Sequence, residues 1–318
     1  MNHPLVSVLI PLYNHARFIV QCLDSILEDS YPNKEIIIID DGSRDSSASL
    51  VRKWHSDHSS FPGHAFTFIC RENRGLTKTL NELVGLAQGE LIAVLASDDY
   101  LLAGGIAYRA AYLESHHDKL AVFGDCRLVD YDGNVSHKSG LSDLHNGRKN
   151  HLNNSRLISY EIVFNWCVPG PVFMARKGVY QLLGGYNEDI VVEDWDFYLR
   201  LVSRNLLGFI DYPVAAYRIR PDEGPKEINT QHLIRFNDAM LKTVTNHLHS
   251  FKGIRRAYLV AEQLKFHGIL ERLKGNRSIR AFLCRKAGRI LENALKAAYN
   301  TWGGIFLFTL RINGSLHR

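Results

Sequence analysis

The chain has 318 residues, 46% of them hydrophobic and 22% charged, a balance that fits one large soluble α/β domain or a domain with an extension. Its five cysteines (Cys22, Cys70, Cys126, Cys167, Cys284) form no C-x-x-C, which argues against structural zinc and for a reducing compartment. The net charge of +5 is uneven: Phe251 to Arg318 holds 14 Lys and Arg against 3 acids, a basic tail suited to an anionic membrane surface or nucleic acid.

No apolar run approaches the ~18 residues that span a bilayer. Met1-Asn2-His3-Pro4 lacks a basic n-region, so no secretory signal is expected. Val6 to Pro11 reads as a strand and Arg17 to Glu28 as a helix, with apolar residues at i, i+4. After Pro32, Glu35 to Ile39 is a second strand. Its four consecutive isoleucines fit burial on both faces of a parallel sheet. Asp45 to Trp54 is predicted helical, Ala65 to Cys70 extended, Thr77 to Ala87 helical and Glu90 to Leu95 extended. A helix from Ala103 to Ser115 and a strand at Leu120 to Phe123 follow. Such alternation predicts parallel strands with helices on both faces.

Beyond Gly124 the pattern changes. Asp132-Gly133 between short extended segments predicts a hairpin, and the polar stretch Leu141 to Ser155 a loop. Pro171 to Ala175 is expected as a strand, Lys177 to Leu183 and Glu193 to Val202 as helices, and Val214 to Ile219 as a strand. From about Glu227 the pattern is helical to the end. In the tail, Arg285, Arg289, Glu292 and Lys296 share one helical face, with Leu283, Ala287, Ile290, Leu291 and Ala294 opposite; Trp302 to Phe308 adds an apolar patch. Such a helix could lie in a bilayer interface or pack on the body with its basic face in water.

Chemistry-bearing residues gather at predicted strand ends, where open α/β sheets bind ligands. Pro11-Leu12-Tyr13-Asn14 closes the first strand; Tyr13 could stack on a base and Asn14 cap the next helix, or the segment is a plain turn. Asp40-Asp41-Gly42-Ser43 closes the second. Its carboxylates could accept hydrogen bonds from a base or ribose, or form an Asx turn. Ser97-Asp98-Asp99 ends another apolar strand and suits Mg²⁺ or Mn²⁺, which prefer carboxylates and leave positions open for phosphates. Glu193, Asp194 and Asp196 crowd one helix start beside Trp195 and Phe197, more acid than capping needs. A carboxylate there could take a proton from a hydroxyl, its pKa lowered by the helix terminus or raised by apolar neighbours. No G-x-G-x-x-G or G-x-x-x-x-G-K-[ST] is present at a strand end.

Taken in order, Val6 to Asn14, Ile39 to Ser43, Glu72 to Leu76, Ser97 to Asp99, Pro169-Gly170-Pro171, Gly184 to Glu188 and Glu193-Asp194 resemble the successive motifs of family 2 glycosyltransferases, over roughly Pro4 to Arg218. The resemblance implies an α/β GT-A fold: a mostly parallel central sheet flanked by helices. Residues 1–225 would form the catalytic domain (nucleotide half 1–100, acceptor half 101–225), and 226–318 a basic helical extension. It implies inversion at the sugar carbon. Pro11, Tyr13 and Asp41 would contact the base, with Asn14 and Asp40 close by; Asp98 would hold the ribose and Asp99 a Mg²⁺ or Mn²⁺ on the diphosphate. Asp194 would be the general base, with Glu193 shaping the acceptor site. Two positions depart from the pattern: Leu80 stands where relatives often carry Arg, and Arg220 where they often carry His, placing a guanidinium for the diphosphate.

The expected function is therefore an inverting, metal-dependent glycosyltransferase using a UDP-, dTDP- or GDP-sugar. Its acceptor would be a glycan or lipid-linked glycan in bacterial surface polysaccharide assembly, and its place the cytoplasm or the inner face of the cytoplasmic membrane. The alternatives are an inactive sugar-nucleotide-binding scaffold and, disfavoured because no aromatics interleave with the charges, a nucleic-acid binder.

Overall fold

A central strand flanked by two others organises the amino-terminal half of the computed structural model, which describes residues 3–58, 65–190, 192–219, 229–276 and 278–315, with side chains to 301. β1 (Val6–Leu12) lies parallel to β2 (Lys34–Asp40) on one side and to β4 (Leu91–Val94) on the other, Val8 standing opposite both Ile36 and Ala93. β3 (Phe66–Cys70) continues the parallel order beyond β2. The sheet then turns mixed. β8 (Phe173–Arg176) joins β4 antiparallel, β6 (Ala121–Val129) joins β8, and β9 (Leu207–Arg218) runs parallel to β6 and antiparallel to the short β5 (Tyr100–Leu101).

The alternation of side chains along β1 and β2 builds two apolar layers. Val6, Val8, Ile10, Leu12, Ile36 and Ile38 face α1 (Ile19–Glu28), α2 (Ser47–Asp57) and α4 (Gly105–Ser115). Leu9, Ile37 and Ile39 face α3 (Leu76–Leu86) and the helices of the second half. The isoleucine run of β2 is thus buried on both sides, as its composition requires. Helix and strand ends differ from the sequence reading by a few residues, most at β6 and β9, which pair with each other well beyond their expected bounds.

The predicted hairpin forms: β7 (Val135–His137) returns along β6, and Asp130 accepts from the amides of Asp132 and Asn134, both at 2.9 Å. The stretch Leu141 to Ser155, expected as a loop, is ordered instead. A π-helical turn at Gly140–Leu144 and α5 (Lys149–Leu152) bury Leu141, His151 and Leu152. The cause is a buried carboxylate: Asp125 accepts from Ser139 Oγ at 2.6 Å and Leu141 N at 3.1 Å, and pairs with Lys149 at 2.7 Å. α6 (Ile158–Phe164), α7 (Gly178–Leu183) and α8 (Glu193–Ser203) complete the second half.

α9 (Thr230–His247), α10 (Gly253–Leu273) and α11 (Ile279–Ser315) form the helical extension. α11 packs on α10 along the edge of its charged face rather than through its apolar stripe: Arg285 lies against Gly268, Glu292 pairs with Lys265 at 2.9 Å and Lys296 lies over the Tyr258 ring. Ala281, Gly288 and Tyr299 turn inward, and small residues let the backbones approach: a Cβ on Gly288 would stand 2.5 Å from Lys265 N. Leu283 and Ile290 remain in solvent. Farther along, Tyr299 donates to the fully buried Glu161 of α6 at 2.9 Å, where Arg148 also pairs at 2.8 Å. The apolar patch at Trp302 to Phe308 lies outside the described side chains, and both Arg220 and the expected domain boundary at 225/226 lie outside the described residues. No helix among the described residues is long and apolar enough to cross a membrane.

Candidate active site

The register of β1 decides the site. Leu12 stands opposite Asp40, and Leu9 opposite Val94, so the segments that follow β2 and β4 emerge on either side of Tyr13. Asp41 N donates to Leu12 O at 2.8 Å, and Leu95 N to Leu9 O at 3.0 Å, closing both junctions. Between them lies a cavity of about 470 Å³ lined by Pro11, Tyr13, His15, Asp41, Leu76 and Asp98, among others. Tyr13 is exposed at its rim.

The two acids after β2 do different things. Asp40 points back into its own turn, where it accepts from Ser43 N at 2.9 Å. Asp41 is buried and triply held: Arg71 Nη1 donates to it, as do the amides of Arg74 at 2.8 Å and Gly75 at 2.9 Å. Gly42, at φ +79°, permits the bend; a Cβ there would stand 2.8 Å from Asn73 N. Asn14 does not cap α1. Its amide donates to Ser43 Oγ at 2.9 Å and its Oδ1 accepts from Arg44 N at 2.8 Å, lacing the ends of β1 and β2 together.

Asp98 and Asp99 divide between surface and interior. Asp98 faces the cavity, with His15 Nε2 3.6 Å away and the other imidazole nitrogen 2.8 Å from Ser97 Oγ. Asp99 is only 2% exposed and is not among the residues that line this cavity. One of its oxygens accepts from Arg218 N at 2.7 Å; the other is buried without a partner among the described residues. Burial, reinforced by Asp98, pushes its pKa well above the usual carboxylate range. An unpartnered buried carboxylate oxygen beside a second acid fits a divalent cation, which keeps further positions for water and phosphate. No group of three or more His, Cys, Asp or Glu suited to a metal exists among the described residues. Arg218 also donates to the carbonyls of Asp98 and Asp130 and to Gln21, clamping the strand end from below.

A second cavity, about 210 Å³, adjoins the first through shared walls at Pro11, Leu76 and Ala96. Glu193 and Asp194 line it, with Leu80, Phe173, Phe197 and Tyr198. Of the opposing influences on this acidic helix start, apolar burial prevails. It pushes Glu193 up to about 7, helped by Asp194, and raises Asp194 as well, against the hydrogen bond from Trp195 N at 2.6 Å. Asp196 turns the other way, to His247 of α9 at 2.9 Å and Arg200 at 2.8 Å. Burial and the nearby Asp99 and Asp98 raise the pKa of the Tyr217 hydroxyl.

Asp41 and Asp98 thus share one cavity, Glu193 and Asp194 the next, and Asp99 lies buried beside Asp98 rather than on the cleft wall. Sequence reasoning passed over Arg71, His15 and Arg218. Arg71 directly precedes the Glu72 to Leu76 motif and Arg218 closes a strand, yet neither position announces a carboxylate or carbonyl partner across the sheet. At the departure beside Leu80, Leu80 walls the second cavity while Asn81 binds the backbone of Tyr186 and the Glu188 carboxylate.

The "Glycosyl transferase family 2" model matches residues 7–180. Among curated relatives, chondroitin synthase of Escherichia coli is 28% identical over 199 residues, covering 62% of this chain and 26% of its own length. Glycosyltransferase GlyG of Streptococcus pneumoniae is 34% identical over 96 residues, covering 30% of each chain. This chain therefore spans well under half of either relative. Among solved structures, S. aureus TarS 1-349 in complex with UDP-GlcNAc has a TM-score of 0.62 at 18% identity, covering 93% of this chain and 91% of that one. The mannosyltransferase PcManGT from Pyrobaculum calidifontis, in complex with GDP-Man and Mn²⁺, has a TM-score of 0.59 at 20% identity, covering 99% and 80%. These likenesses show a GT-A glycosyltransferase fold, the α/β architecture with a helical carboxyl-terminal part that the motifs imply.

Proposed function

Because the chain belongs to glycosyl transferase family 2, we propose that it moves a sugar from a nucleotide-diphosphate sugar to an acceptor hydroxyl with inversion. The observation that carries this reading is the pair of adjoining cavities, one edged by Tyr13, Asp41 and Asp98 and the other by Glu193 and Asp194. The first suits a base stacked on Tyr13, with polar edges toward Asp41 and ribose toward Asp98. Asp194, at the second, takes the proton of the attacking hydroxyl; a carboxylate whose pKa is raised above its usual value by burial is a stronger base for that task. Glu193 shapes the acceptor position beside it.

Asp99, with Asp98, would hold a Mg²⁺ or Mn²⁺, which when bound neutralises charge on the leaving diphosphate. Named relatives fit a donor of this class: TarS was solved with UDP-GlcNAc and PcManGT with GDP-Man. An acceptor glycan, free or lipid-linked, in surface polysaccharide assembly is the proposed setting.

Nucleotide release from a panel of UDP-, dTDP- and GDP-sugars with Mn²⁺ tests the reading directly. Asp194→Asn should lower turnover by about 10²–10⁴-fold, the usual range for a general base, with donor affinity unchanged. Full turnover in that variant would remove Asp194 from the role, and a response to no donor would remove the donor class.

A further inference from the structure

The outward face of α11 carries large apolar side chains that nothing in the described chain covers. Ile279 is 78% exposed, Ile290 60%, Leu283 55% and Phe282 51%. Ile279, Leu283, Lys286 and Ile290 follow one another at three- and four-residue steps, so they share a face. Arg280, Lys286 and Arg289 are exposed around them, and Lys286 Nζ lies 6.0 Å over the Phe282 ring. At the α10–α11 turn, Arg272 and Arg285 line a groove of about 380 Å³ with Ser278 and Phe282.

The charge around this face has one sign. Only three acids occur from Phe251 onward. Glu262 and Glu292 are both paired with Lys265, Glu292 also with Lys296, and Glu271 accepts from Asn276. We propose that this face of α11, with the Arg272–Arg285 groove at its start, docks on the surface of an anionic phospholipid bilayer. Apolar side chains would enter the acyl boundary while the cations meet lipid phosphates, the pattern of a helix that lies in an interface. The same positive charge repels a second copy of the face, and Phe282 is a lone aromatic among aliphatic side chains on it, where a nucleic-acid surface would need successive rings for successive bases.

Co-sedimentation of the full chain with vesicles tests the docking. Binding is expected to phosphatidylglycerol–phosphatidylcholine vesicles, to weaken with salt, and to be absent on phosphatidylcholine alone. Arg280→Gln/Lys286→Gln/Arg289→Gln should weaken binding on the order of a hundredfold, from the usual contribution of each cation near an anionic surface. Phe282→Ser/Leu283→Ser/Ile290→Ser should weaken it at least tenfold. Both triple variants alter exposed positions and should keep the parent melting temperature and donor affinity. Equal binding by either variant, equal binding to neutral vesicles, binding to duplex DNA without binding to vesicles, or a dimer that the serine variant abolishes would each overturn the proposal. Failure on anionic vesicles with intact donor binding would remove the docking alone, whereas vesicle binding without donor binding would remove the transferase reading alone.

Discussion

His247 of α9 meets Asp196 of α8 at 2.9 Å inside the core, two residues from Asp194. The helical extension is therefore fastened to the same helical turn that presents the proposed base. Arg200 holds the other Asp196 oxygen at 2.8 Å. Burial alone would raise the Asp196 pKa, but the His247 hydrogen bond and the Arg200 charge hold it below the usual value.

Replacing His247 with Ala should cost about 1–3 kcal/mol, the range for losing a buried bond to a charged group. The turn carrying Asp194 should loosen with it, so kcat falls while donor affinity stays. Because the folded pKa of Asp196 is depressed, its stabilisation is present above about pH 4, the unfolded value, and is lost as pH falls through the folded pKa. Thermal melts across this acid range should show a smaller loss in His247→Ala than in the parent. An identical acid profile and kcat in the two proteins would separate the extension from the site.

Glu193 carries the opposite sign. Its folded pKa is raised from 4.5 to about 7, so the folded state binds more protons than the unfolded one across that window. Stability contributed by the neutral acid is therefore lost as pH rises from about 4 to about 7, by up to roughly 3 kcal/mol. Glu193→Gln should flatten this slope, so that its advantage over the parent grows between pH 5 and pH 8 in chemical denaturation. Asp194 is also raised, and the acid limb of the kcat profile should sit above the ordinary carboxylate range. A limb at the ordinary value would show that Asp194 titrates as a solvated acid.

Arg71 fixes Asp41, and the two should act as a unit in donor binding. Besides Asp41, Arg71 reaches Glu82 at 3.0 Å and Thr79 at 2.8 Å, so it ties the β2 tip to α3. Arg71→Met leaves the amides of Arg74 and Gly75 on the carboxylate but removes its charge partner. Nucleotide affinity should fall about tenfold, the order expected for one charged hydrogen bond. Calorimetry with the nucleoside diphosphate measures it; kcat at saturating donor should change less. A kcat loss with unchanged affinity would place Arg71 in the chemical step instead.

What could be read without coordinates follows from how local each signal is. The Ile36 to Ile39 run and the acids after it declare a buried strand and its tip within nine residues, and the Asp132-Gly133 turn declares its hairpin. Leu141 to Ser155 looked like a loop because its ordering partners are distant: Asp125 from one strand, and Tyr299, which stands 2.7 Å from His151 across 148 positions. Asp40 and Asp41 are equal as letters, and only the pairing of β1 with β2 turns one into its own loop and the other toward the cleft. Of the two readings open for α11, packing on the body with its basic face in water fails for a related reason, because Leu283 and Ile290 stay exposed while Glu292 meets Lys265 of α10. A hydrophobic stripe normally marks the buried side, but here close backbone approach at a glycine decides the packing.

That glycine gives the last prediction. A Cβ at Gly288 would lie 2.5 Å from Lys265 N and 2.7 Å from Ala261 O, both backbone atoms of α10 that cannot swing aside. Gly288→Leu gains helix propensity within α11 yet must push the two helices apart. Overpacking of this kind costs about 1–3 kcal/mol, which outweighs the ~1 kcal/mol gained by replacing a helical glycine. Amide exchange should rise along both helices and at Tyr299, whose bonds to Glu161 and His151 depend on the docked position. Exchange in β1 and β2 should stay as in the parent. If Gly288→Leu were instead more stable, with unchanged protection at Tyr299, propensity would outrank contact here and α11 would not be held by close approach to α10.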